Sequence, residues 1–141
     1  MTPNLHTSPL NDVLIETGRS LLQYVGECWP WTHHDADEIR KQLDGLVARQ
    51  RESVGSLVSL INSHTPTFDI GSYPTEYTDL HFVALDFLLL ELVDNQRNVV
   101  VRIEQTIVEF DDDAIKTFLK ETLTDEQSVL EGLRKIAAAS N

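Results

Sequence analysis

The sequence predicts an all-α fold, a four-helix up-down bundle of two helix hairpins joined by a long crossover loop. Three observations carry that reading. Apolar residues recur at alternating spacings of three and four along four separate stretches, the pattern of helices that each bury one face. Residues 64–76, punctuated by Pro66, Gly71 and Pro74, form one long non-helical connection, whereas those near 30–34 and 110–113 are short. The run from Leu80 to Val93 is apolar except for His81, Asp86 and Glu91, so it needs cover on most sides.

The 141 residues bound the answer to one domain, 1–141, with room for a sizeable core. Hydrophobic residues make up 41% of a chain with few Gly and Pro, as expected of a folded, soluble protein. Eleven Lys and Arg face 23 Asp and Glu, a formal net charge of −12. Such a surface repels phosphate backbones and anionic lipid, so we expect neither nucleic-acid nor membrane partners. The 80–93 run is too short and too acidic at its far end to span a bilayer. The single Cys28 cannot form an internal disulfide, and no signal peptide is evident, so the expected location is the cytoplasm.

Residues 1–8 read as a loose leader. The first helix is expected over about 10–28, with a seam of Leu10, Leu14, Thr17, Leu21, Tyr24 and Cys28. Trp29-Pro30-Trp31 ends it, because Pro30 restricts the residue before it and donates no hydrogen bond. Thr32-His33-His34-Asp35 reads as a capping turn with acids in the first turn beyond it. Its adjacent histidines do not face one point, which argues against a metal site there. The second helix, about 35–63, carries the seam Ala36, Ile39, Leu43, Leu46, Gln50, Ser53, Leu57 and Leu60.

Phe68, Ile70 and Tyr73 should press the crossover against the bundle. The third helix is expected over about 76–110, some 50 Å by the rise per residue. Its seam is Phe82, Leu85, Leu89, Leu92, Gln96, Val99, Ile103, Thr106 and Phe110. Asp111, Asp112 and Asp113 suit the N-terminus of the fourth, about 112–137. That helix reads Ile115, Leu119, Thr122, Glu126, Val129, Leu133 and Ile136 on its buried face.

Three of the four seams therefore carry a polar side chain at mid-length: Gln50 and Ser53, Gln96, and Glu126. Each costs about 1–3 kcal/mol if buried without a partner, and their common depth predicts that they meet. Four helices, a crossover and a mid-core polar layer resemble the ferritin-like superfamily, through Arg49–Ser53 on the second helix and Thr124–Val129 on the fourth. That resemblance implies two Glu-x-x-His motifs and two further Glu holding a di-metal site. Here Gln50 and Ser53 stand for the first Glu and His, Glu126 matches the second Glu, Val129 stands for its His, and Gln96 replaces a third carboxylate. The resemblance thus implies a degenerate member with no metal and no catalytic residues, a binding or structural protein rather than an enzyme. The alternative is a carboxylate-only site of Glu52, Glu91, Asp94 and Glu126, holding di-iron or another divalent metal for iron or redox handling. Otherwise Glu126 is a buried carboxylate bonded to Gln50, Gln96 or Tyr24. Hemerythrin-like and DinB-like bundles use histidines on helices, which His6, His33, His34, His64 and His81 do not supply.

The third helix has a second apolar stripe, Leu80, Val83, Phe87 and Leu90. Left bare, it exceeds what a monomer usually tolerates, so a homodimer through this surface is expected. The crossover loop is the competing cover.

Overall fold

The computed structural model describes residues 7–29, 34–64, 69–82 and 84–139. These form five α-helices and one 3-10 helix, with no strand among the described residues. In chain order they are α1 (Thr7–Gly18), α2 (Leu21–Glu27), α3 (His34–Asn62), the 3-10 helix (Thr75–Phe82), α4 (Leu85–Ile107) and α5 (Asp113–Ala139). The all-α reading holds. No helix among the described residues is long and apolar enough to cross a membrane.

Several boundaries depart from the sequence reading. The first expected helix is two, because Ser20 takes an extended ψ of 161° and caps α2 by accepting from the Gln23 amide. A second orphan amide of α2, that of Leu21, donates to Asn95 Oδ1 of α4 at 3.0 Å. The long third helix is shorter than expected. Residues 75–82 are 3-10 and α4 begins only at Leu85, giving a helix of about 35 Å. Packing decides this against local propensity. Tyr73, Tyr77 and Leu80 pack against the core, and Tyr77 lies 5.6 Å from the Tyr24 ring. Pro30, Trp31, Thr32, His33, Phe68 and Val83 lie outside the described residues, while His34 and Asp35 of the expected capping turn open α3.

Helix α1 also begins at Thr7, inside the expected leader, and α4 ends at Ile107 rather than near Phe110, whereas the remaining helix ends fall within two residues of the sequence reading. The amide of Cys28 closes α2 on the Tyr24 carbonyl. At the start of α5, the Ile115 amide donates to Asp112 Oδ1 at 3.0 Å, so an aspartate caps the helix where its charge also suits the dipole.

Residues of α4 pack against α5, α5 against α3, and α1 against both α3 and α4, while α2 continues the contact with α3 and α4. Two apolar clusters result. One joins Leu21 and Leu22 of α2 to Leu43 and Leu46 of α3, Leu88 and Leu92 of α4, and Val129 and Leu133 of α5. The other joins Leu10 and Leu14 of α1 to Leu57 and Ile61, Val99 and Ile103, and Ile115 and Leu119. Each fully buried leucine contributes about 1.5–3 kcal/mol relative to exposure. Gln50, Gln96 and Glu126 fall between the two clusters in every helix that carries them.

The crossover is fastened along α1 and α2. Asn11 brackets Asp69, donating to its carbonyl at 2.8 Å and accepting from its amide at 2.9 Å. Gly71 has a φ of +72°, which favours glycine, and Arg19 Nε donates to its carbonyl at 3.1 Å. The Tyr73 ring then meets Tyr24 edge-on at 5.3 Å, beneath the Arg19 guanidinium at 4.8 Å.

Candidate functional site

The middle of the molecule holds a hydrogen-bonded polar layer built by four helices. A seam residue is carried inward by its place among leucines, whatever its polarity, and must then find a partner. Thr17, Thr106 and Thr122 solve this locally, each hydroxyl donating to the carbonyl four residues back. Glutamine and glutamate side chains are too long for that in a helix, so they reach across.

Gln50 is the hub. Its Oε1 accepts from Ser20 Oγ at 2.7 Å and from Gln23 Nε2 at 3.1 Å. Its Nε2 donates to Gln96 Oε1 at 2.9 Å and to Glu126 Oε1 at 2.8 Å. Gln96 Nε2 donates to the same Glu126 Oε1 at 2.9 Å and to the Glu126 backbone carbonyl at 3.0 Å. Gln23 Nε2 spends its other hydrogen on the Val47 carbonyl at 3.0 Å. Every amide hydrogen of the three glutamines is thus used, and the amide orientations follow from this pattern. Gln50 and Glu126 are 0% exposed and Gln96 1%.

Glu126 is the one ionisable group in the layer. Burial pushes its carboxyl pKa up, while Gln50, Gln96 and Ser53 pull it back and the Asp125 charge adds to the rise. Its Oε1 accepts two bonds, whereas its buried Oε2 has no hydrogen-bond partner. Ser53, also buried, stands one turn along α3 from Gln50, near this carboxyl group.

The residues singled out from the sequence separate into two sets. Gln50, Gln96 and Glu126 come together, with Ser53 beside them. The carboxylate alternative is dispersed. Glu52 is exposed on a groove of about 390 Å³ between α3 and α5, with Arg49, Glu121 and Asp125. Glu91 and Asp94 line a different groove beside Glu76, Tyr77 and Asn95, and Asp94 pairs with Arg97 at 3.1 Å. Among the described residues, no group of three or more His, Cys, Asp or Glu is placed to hold a metal. Tyr24, an expected partner for Glu126, instead packs on Tyr73 and Tyr77.

Sequence reasoning missed Ser20 and Gln23. The signal was present, because Ser20-Leu21-Leu22-Gln23 has the S-x-x-Q spacing of a capping box.

The amide hydrogens of the three glutamines are spent on Gln50, Gln96, Glu126 and the Val47 carbonyl, and the buried Glu126 Oε2 is left without a hydrogen bond. Compared with protein-family models, curated protein sequences and solved structures, the chain shows no significant match to any of them.

Proposed function

We propose that this chain is a four-helix bundle of the ferritin-like kind in which the di-metal site has been replaced by a structural polar layer. It would act as a non-catalytic, homodimeric binding or structural protein. The two apolar clusters support the layout. Each joins one end of α1–α2 and α5 to the opposite end, in chain direction, of α3 and α4. Treating α1–α2 as one bent helix gives up, down, down and up, with residues 69–82 lying along the bundle as the described part of the crossover.

One observation carries the loss of metal chemistry. Positions that would supply carboxylate or imidazole carry Gln50, Ser53, Gln96 and Val129, and the amide hydrogens of both glutamines are already spent within the layer. A neutral amide is a poor ligand for iron or zinc, and one carboxylate does not hold two ions. Metal content of protein purified without chelator, then reconstituted anaerobically with iron(II) or zinc, tests this. We expect far less than one bound ion per chain. About one ion per chain, lost on Glu126→Gln, would establish the metal-handling alternative.

The dimer rests on α4. Phe87 and Leu90 are 48% and 56% exposed, whereas Leu80 is half-buried against the core from its place on the 3-10 helix. The crossover therefore covers one member of the second stripe and leaves two for a partner.

A further inference from the structure

The hydrogen-bond inventory around Glu126 is unbalanced in a way that the structural role of the layer does not require. Four helices converge on it, yet they bring no cation. On α3, the flanking Arg49 and Glu52 are exposed, and Arg49 donates to Ser128 Oγ at 2.8 Å. On α4, Gln96 is flanked by Asp94 and Arg97, which pair with each other at the surface. Gln23 and Ser20 come from α2 and its cap, and neither is charged. On α5 the neighbouring charge is Asp125, of the same sign. The ion pairs among the described residues are Arg97–Asp94, Arg102–Glu16 and Arg134–Glu131, and none includes Glu126.

An ionised carboxylate here would place a full charge at 0% exposure with only neutral donors around it, two amides on Oε1 and the Ser53 hydroxyl nearby. Buried groups in that position neutralise instead. We propose that Glu126 is a proton-binding site, that its Oε2 holds a proton in the folded protein at neutral pH, and that losing this proton lowers the stability of the fold. With the proton in place, Oε1 remains the acceptor for Gln50 and Gln96. The Ser53 hydroxyl beside the carboxyl, which can both donate and accept, offers an acceptor for the new O–H. The raised carboxyl pKa agrees with this inventory. The inference rests on the metal-free reading of the layer, because a carboxylate that ligates an ion cannot hold this proton; metal content tests that reading separately from the pH measurements.

The sign follows from linkage. A carboxyl group that binds its proton more tightly when folded stabilises the fold fully below its unfolded pKa. That contribution falls as pH rises from the ordinary value near 4.5 to the raised folded value. Other carboxylates also respond to pH, so the measured quantity is the folding constant of the wild type divided by that of Glu126→Gln, from urea unfolding of the full chain. We expect this ratio to fall about tenfold per pH unit above the ordinary carboxyl range, continuing past neutrality. A ratio that is constant from about pH 6 to 8 would overturn the proposal. Infrared spectroscopy of the wild type alone supplies a second readout that needs no folded variant. A protonated-carboxyl C=O band, shifted in heavy water, should be present at neutral pH and vanish at alkaline pH. A spectrum without it at neutral pH would likewise overturn the proposal.

Discussion

Replacing Gln50 by leucine should destabilise the fold far more than the same change at Gln96, although both residues are buried glutamines on facing seams. The bonds differ in what they leave behind. Gln50→Leu strands the Ser20 hydroxyl hydrogen and the Gln96 Oε1, whose bonds all run to Gln50. It also removes one of two donors from Glu126 Oε1 and one of two acceptors from Gln23 Nε2. Two fully orphaned buried groups cost about 1–3 kcal/mol each, so the loss should reach roughly 2–6 kcal/mol. Gln96→Leu leaves one Gln50 amide hydrogen without its acceptor but strands no atom completely. Glu126 Oε1 keeps the Gln50 donor, Gln50 Nε2 keeps Glu126, and the Glu126 carbonyl keeps its place in the α5 ladder. That variant should lose about 1 kcal/mol. Urea unfolding at one pH measures both, and the slope with denaturant should not change. Equal losses in the two variants, or a neutral Gln50→Leu, would refute the hub reading of Gln50.

Gly71→Ala should cost about 1–2 kcal/mol, because a φ of +72° opposes a Cβ that would also stand 3.3 Å from Ile15 Cγ2. Thermal unfolding checks it, with a lower Tm expected and no change in helicity at low temperature. Charging the exposed α4 stripe with Phe87→Asp and Leu90→Asp should convert a dimer to a soluble monomer with its fold intact. Light scattering at micromolar concentration decides this, and a monomeric wild type would remove the dimer.

What the sequence made legible was whatever depends on spacing along a single helix. Glu126 falls between Thr122 and Val129 at a helical interval, so its burial could be read before its neighbours were known. Gln50 and Gln96 were legible for the same reason. The break at Arg19–Ser20 was masked, because Leu21 and Tyr24 keep the seam spacing of α1 across it and only the S-x-x-Q run marks a new helix start. The start of α4 was hidden for a different reason. No Gly or Pro separates Leu80 from Leu85, and the 3-10 segment before α4 is held through Tyr77 by Tyr24 and Asn95, residues distant in sequence. Asn95 Nδ2 donates to Tyr77 Oη at 3.0 Å, a contact that no periodicity announces. The dispersal of Glu52, Glu91 and Asp94 follows from rotation about the helix axes, which spacing alone leaves open.

The fastening of the crossover along α1 and α2 bears on the order in which the chain can fold. Asn11 meets Asp69 across 58 residues, Arg19 meets Gly71 across 52, and the Leu21 amide meets Asn95 across 74. The bend between α1 and α2 is held by these bonds and by Gln50, so its first segment cannot reach final form while only the first hairpin exists. Loop closures of this span are slow relative to neighbouring-helix contacts. A chain emerging from synthesis would hold α1 and α2 in waiting until α4 had arrived. The Leu21–Asn95 bond, which needs α4, thus predicts that the α1–α2 bend is completed late in folding.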